Sequence, residues 1–165
     1  MKNLIIIYFL LISNNIYAVT LDTINRAISN STGSQQQTFK CNKIILFDKK
    51  NGNPDVCIKA TKMAGIDKQN LGENYYNAGI LYTFGEKYKD YKKALKMYKL
   101  SYDAGYGKYS SAVMTKIGYF YWKGWGAETN KILAYKYFLE GAKAGNQNAQ
   151  TNLDIMCKES PWACK

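Results

Sequence analysis

Four cysteines, at positions 41, 57, 157 and 164, are the residues of this 165-residue chain whose type is best suited to chemistry. A thiol becomes a nucleophile only when its pKa is lowered or a neighbour takes its proton. The chain contains no histidine, so Ser–His and Cys–His catalysis, a histidine general base and histidine metal sites are excluded. No Cys-x-x-Cys occurs, which removes zinc-ribbon and thioredoxin-type chemistry. Glu73, Glu86, Glu128 and Glu140 fall near helix ends or loops, with no spacing that pairs an acid with a base. Gly124-x-Gly126 lacks the preceding strand and the further glycine of a dinucleotide site. The expectation is a chain with no catalytic residues, no cofactor and no metal site.

Charge is the remaining chemical character. Lys and Arg number 23 against 12 Asp and Glu, a formal net charge of +11. The stretch KYKDYKKALKMYK, 87–99, concentrates part of it. Two readings are open: contact with an anionic surface, or a solvated helix face. Lys89, Lys92, Lys93, Lys96 and Lys99 lie opposite the apolar set Tyr91, Ala94, Leu95, Tyr98 and Tyr102, whose spacing is one helical stripe. No arginine cluster accompanies them, and no nucleic-acid partner is expected.

The elements that carry these residues recur. Ala-Gly occurs at 64–65, 104–105 and 144–145, each closing a helical stretch, and Gly suits the left-handed turn that ends a helix. Between them lie GILYTFG, 79–85, and GYFYWKG, 118–124, both Gly-x-x-Tyr-x-x-Gly. A truncated third copy, AQTNLDIMC at 149–157, has Asp154 at the Gly position and Cys157 at the Tyr position. A period near 40 residues predicts stacked pairs of helices. Asp90 and Asn130 precede the second helix of each pair as N-caps. Gly79 and Gly118 sit inside the first helices, where Gly costs ~1 kcal/mol against Ala. A close approach of the second helix explains them.

Taken together, Asn74, Ala78, Gly79, Tyr82, Gly85, Asp90, Lys93, Ala94, Ala104 and Gly105 form a pattern. It returns as Val113, Ile117, Gly118, Tyr121, Gly124, Gly126, Asn130, Ala134, Ala144 and Gly145, and in part as Ala149, Leu153 and Asp154. It resembles that of the Sel-1-like repeats, relatives of the tetratricopeptide repeat, over about 70–157 and more weakly over 38–65. The resemblance implies an all-α chain folded as an α/α solenoid of antiparallel helix pairs. Gly79, Tyr82, Ala94, Gly118, Tyr121 and Ala134 are then the repeat-packing residues. An atypical first unit at 38–65, repeats at about 70–105 and 109–145, and a cap at 147–165 complete the domain of 38–165. Departures are the extra residues at 66–73 and 106–109, and Asp154 in place of the close-packing Gly.

Residues 1–18, MKNLIIIYFLLISNNIYA, have a Lys, an apolar run from Leu4 to Ile12 and a small residue at Ala18. That is the layout of a secretory signal peptide cleaved after Ala18. Nine apolar residues are too few for the ~20 of a membrane span. The expectation is a periplasmic or secreted chain beginning at Val19. Residues 19–37 read as a short helix followed by a polar linker, SNSTGSQQQ. An oxidising compartment favours two disulfides. Of three pairings, Cys41–Cys57 joins two helices across a short turn, and Cys157–Cys164 closes the C-terminal fold-back; this pair of bridges is favoured.

What remains is a binding surface. Stacked helix pairs present a concave face lined by their first helices. Tyr76, Ile80, Thr83, Tyr119 and Trp122 lie off the motif positions and are the candidate partner-binding residues, Tyr and Trp being favoured anchors. The resemblance implies a non-enzymatic interaction module, such as an adaptor, scaffold or inhibitor of another protein. Alternatives are a hydrolase acting on cell-wall material or β-lactams, as claimed for disulfide-rich relatives, and a cationic binder of anionic envelope polymers.

Overall fold

The Thr20 hydroxyl accepts a hydrogen bond from the Thr23 amide and starts the first helix, α1, Leu21–Asn30. In this computed structural model, which describes residues 8–12, 15–105 and 110–164, that helix opens an all-helical body. Ahead of it, β1, Tyr8–Ile12, pairs antiparallel with β2, Asn15–Val19, with Tyr8 opposite Val19 and Ile12 opposite Asn15. Residues 1–7 and 13–14 of the expected export signal lie outside the described residues, as do the extra residues 106–109.

The polar linker is a correction. Residues 33–37 belong to α2, Gly33–Phe47, and only Ser31 and Thr32 separate it from α1. The Gln36 side chain donates to the Ile28 carbonyl at 3.2 Å, so these polar residues join the two helices. Composition read the segment as linker because its glutamines and serines carry no apolar stripe; the Gln36 hydrogen bond ties it to α1 instead.

Helix α3, Asp55–Thr61, follows Pro54 and returns along α2. Cys41 and Cys57 meet between them with Cα atoms 4.8 Å apart, both fully buried. Closing a loop of that size contributes roughly 3 kcal/mol in the chain-entropy model. At the other end the Cys157–Cys164 bridge ties α8, Gln147–Glu159, to a 3-10 turn at Pro161–Cys164, with Cα atoms 5.7 Å apart.

Two helix pairs occupy the centre: α4, Lys68–Phe84, with α5, Tyr91–Asp103; and α6, Ser110–Lys123, with α7, Lys131–Lys143. Their joints are alike. The Asp90 amide donates to the Tyr82 carbonyl at 2.9 Å, and the Asn130 amide to the Tyr121 carbonyl at 2.9 Å. The Asp90 and Asn130 side chains cap α5 and α7 by accepting from Lys93 and Leu133 amides. Gly105 and Gly145 close the pairs at φ +67° and +84°, a region that suits a residue without Cβ.

The first helices bury the same three positions each time: Asn74, Ala78 and Leu81; Val113, Ile117 and Phe120; Ala149, Leu153 and Met156. A Cβ on Gly79 would lie 2.6 Å from the Tyr98 ring, and one on Gly118 would lie 2.8 Å from the Phe138 ring. Each glycine is therefore where the second helix presses its aromatic residue against the first. Tyr82, Ala94 and Ala134 are buried around these crossings, and half-buried Tyr121 stacks on Tyr137. In α8, which the 3-10 turn follows, Asp154 at the equivalent position is exposed. Polar pairs tie α2 to α4: Asn74 Nδ2 donates to Thr38 Oγ1, and Asn77 Nδ2 to Asn42 Oδ1, both at 2.8 Å.

Candidate interaction cleft

Along α6, Ala112, Thr115, Lys116 and Tyr119 follow the i, i+3, i+4, i+7 spacing of a single helical face. Opposite this face, α4 supplies Tyr76, Thr83 and Phe84, and α8 supplies Asn148, Thr151 and Asn152. Helix α6 packs closely on α5, α7 and α8, whereas α4 packs on α2, α3 and α5. The space left between the α4 and α6 faces is a cleft of about 510 Å³. Trp125, from the turn after α6, closes part of its wall, stacked on Tyr91 at 4.5 Å between ring centroids.

Of the five residues expected at the binding face, Tyr76, Thr83 and Tyr119 line this cleft and Ile80 and Trp122 do not. Trp122 is a correction. It is 7% exposed and sits edge-on to Phe138 at 6.1 Å, in the core with Ala134, Leu153 and Met156. The reason is helical geometry: Trp122 stands four residues after Gly118, so the two share the face that meets α7. Thr83 stands four residues after Gly79 and is buried in the same way. Its hydroxyl meets the Gly79 carbonyl at 2.7 Å and the Tyr98 hydroxyl at 2.9 Å, which commits it to the α4–α5 crossing. Ile80 is half-buried against the core.

Tyr119 is the expected residue best placed to meet a partner. It is half-buried, and its ring stands edge-on to Trp122 at 5.9 Å and to Trp125 at 5.2 Å. The Trp125 ring also stands edge-on to Phe120 at 5.6 Å. Aromatic side chains held in this way present rigid apolar surface at low entropic cost.

Sequence reasoning passed over Phe84, Lys116, Trp125, Asn148 and Asn152. Phe84 ends α4 with nearly half of its surface in solvent. The Lys116 ammonium lies 5.1 Å from the Phe84 ring centroid and the Lys49 ammonium 5.3 Å from it. Burial pushes the Lys116 amine below the usual lysine range, and the Lys49 charge pushes it the same way. The available signal was a lysine three residues before Tyr119 on one helical face. Among the described residues, no acidic side chain lines the cleft. Asp67 and Asp90 cap helices, Glu86 pairs with Lys50, and Glu140 accepts from the Tyr102 hydroxyl.

The lysine-rich face of α5 is separate: Lys92, Lys93, Lys96 and Lys99 are exposed, opposite buried Ala94, Leu95 and Tyr98. Among the described residues, no group of His, Cys, Asp and Glu could hold a metal ion, and no helix is long and apolar enough to cross a membrane. The chain matches no protein-family model, no curated protein and no solved structure.

Proposed function

We propose that the chain is an exported, non-enzymatic protein-interaction module of the Sel-1-like kind, and that a segment of a partner protein docks in the cleft between α4, α6 and α8. The observation that carries this reading is the composition of the cleft. Among the described residues, aromatic groups, carboxamides, threonines and one lysine line it, and no carboxylate does. Aromatic anchors with a few polar groups fit recognition; the acid–base chemistry of a hydrolase has no carboxylate to start from there. The duplicated crossings at Gly79 and Gly118 and the duplicated caps at Asp90 and Asn130 support a solenoid built from Sel-1-like units.

Export agrees with two disulfides and no free cysteine among the described residues. Cleavage after Ala18 would leave all eight helices intact, since α1 begins at Leu21. One bridge ties α2 to α3, next to the opening helix α1, and the other ties α8 to the 3-10 turn after it.

Capture from the native envelope by the wild type and by Tyr119→Ala, with mass spectrometry, tests the reading. A protein retained by the wild type and lost by a Tyr119→Ala chain of unchanged far-UV spectrum is the expected result. A partner kept by Tyr119→Ala but lost on neutralising Lys92, Lys96 and Lys99 would replace the cleft by the basic α5 face. The exposure of those lysines favours that second reading, the cationic binder of anionic polymers. Such binding would weaken steeply with salt.

A further inference from the structure

Resting on the reading of the cleft as a peptide-binding site, we propose that Lys116 anchors a carboxylate-binding subsite. The docked segment places a carboxylate, from an acidic side chain or its own C-terminus, beside Lys116 at the Phe84 end of the cleft.

All twelve acidic side chains of the chain fall within the described residues. None pairs with Lys116; the ion pairs seen among the described residues include Arg26–Asp22, Lys50–Glu86 and Lys93–Asp90. The half-buried Lys116 ammonium has the Phe84 ring face as its neighbour and the Lys49 cation as the nearby charge. A partly desolvated cation without a counter-charge is costly. The Lys49 charge adds to the cost of keeping Lys116 charged, and an anion beside Lys116 offsets both. Among the described residues no carboxylate meets Lys116, and the proposed anion comes from the docked segment.

The rest of the cleft selects what carries it. Asn148 and Asn152 stand one turn apart on α8, and neither carboxamide has an intramolecular hydrogen bond among the described residues. Each offers a donor and an acceptor, the complement of a peptide group. Their separation along the axis is ~6 Å, near the ~6.6–6.8 Å at which an extended chain repeats its same-facing groups. Tyr119 and Trp125 provide apolar surface for a side chain. No arginine lines the cleft, and Arg26, the chain's single arginine, is engaged with Asp22. Recognition therefore rests on a point charge, and a single ammonium balances the one charge of a carboxylate but not the nearly two charges of a phosphate group.

The test uses randomised synthetic peptides about ten residues long, enough to cross the cleft at ~3.3 Å per residue. One pool fixes a central Glu and a second a central Gln, both with acetylated and amidated ends. A third fixes Gln and leaves the C-terminal carboxylate free. The intact chain should retain a carboxylate pool roughly tenfold better than the neutral pool, the scale of one charge-assisted hydrogen bond. Preference for the first or the third pool identifies the source of the carboxylate. Lys116→Gln should erase the preference while still retaining the neutral pool, and Lys116→Arg should restore it. Lys96→Gln should behave as wild type. An unchanged unfolding midpoint separates loss of charge from loss of fold. Equal retention of all pools by the wild type, or a preference that survives Lys116→Gln, overturns the subsite and leaves the peptide-binding reading standing. Stronger displacement by inorganic phosphate than by acetate at equal ionic strength also overturns the carboxylate assignment. Retention of no pool removes the peptide-binding reading, and this inference with it.

Discussion

At the α4–α5 crossing the residue pressed against glycine is Tyr98, and its hydroxyl meets the Thr83 hydroxyl. At the α6–α7 crossing the corresponding residues are Phe138 and Trp122, in edge-on ring contact. Both partners change together. A buried hydroxyl needs a hydrogen-bond partner, so a tyrosine is matched by threonine, and a phenylalanine by an indole that fills space. The backbone plan is shared, and the side chains that close it belong to a pair. The outer faces differ as well. Asn77 in α4 is buried and bonded to Asn42 of α2, whereas Lys116, its counterpart in α6, borders the cleft. A helix below satisfies the first position; the absence of close packing above the second creates the site.

The sharpest break between the crossings comes from Trp122→Ala. Removing a buried indole should cost ~3–5 kcal/mol, read from denaturant or thermal unfolding. Thr83→Ala at the matched position removes both hydroxyl contacts, leaves the buried Tyr98 hydroxyl without that partner and should cost ~1–3 kcal/mol. Equal and small losses would put Trp122 back on the surface.

The crossings were legible in the sequence because their signals are local. A glycine inside a helix, an Asp or Asn before an apolar stripe, and Ala-Gly at each close all repeat within a single unit. The pairing of Cys41 with Cys57 followed from two helices and a short turn. The cleft was legible only in part. Its lining comes from α4, α6, α8 and a turn, and its width depends on how successive pairs stack, which no single helix records. Tyr119 and Trp122 were read as one stripe because three residues separate them. The structure splits that stripe: Trp122 shares the Gly118 face that meets α7, while Tyr119 lines the cleft with Lys116. Asn148 and Asn152 carried no signal at all: a polar residue on an exposed helix face looks the same whether or not a groove lies beside it.

Gly118→Leu addresses the shared part of the plan. The new side chain would meet the Phe138 ring and, at 3.2 Å, the Ala134 carbonyl oxygen, which belongs to the backbone and cannot swing away. The cost should reach roughly 3 kcal/mol, the upper part of the overpacking range. Lys96→Leu on the solvated face of α5 should stay within ~0.5 kcal/mol. Similar losses for the two would mean that the crossing is not where the glycines place it.

Exchanging the two aromatic residues tests whether each crossing is a matched pair. Phe138→Tyr should cost ~1–2 kcal/mol, because the added hydroxyl meets an indole rather than a threonine. Tyr98→Phe should cost ~1 kcal/mol, since Thr83 still donates to the Gly79 carbonyl. It should also change the alkaline limb. Burial holds the Tyr98 phenol above its ordinary 10.0. The unfolded chain then loses this proton first, and stability falls as pH rises past ~10. The phenylalanine variant should show a shallower fall in urea midpoint above that pH.

The smallest difference lies in the caps. Asp90 and Asn130 make the same bond, to the amide three residues on, at 2.9 Å in each case. Only Asp90 titrates. The Lys93 backbone N–H, foremost among the causes, holds its carboxyl below 3.8. The unfolded chain therefore binds this proton first on acidification. The cap's contribution is complete above the unfolded value and is lost as pH falls through the lower, folded one. Asp90→Asn gives α5 the cap that α7 already has. At neutral pH it should change stability by no more than a few tenths of a kcal/mol, since Asn and Asp cap equally well and the exposed pair with Lys93 contributes little. Below pH ~4 the variant should lose less stability than wild type. Asp67→Asn, at the α4 cap, should act in the same direction, because the Asn70 amide holds that carboxyl low too. Urea midpoints between pH ~2.5 and ~6 measure this. If Asp90→Asn follows the wild-type curve throughout, the cap carboxylate is not coupled to folding. The two pairs would then differ at the crossing and the cleft but not at the cap.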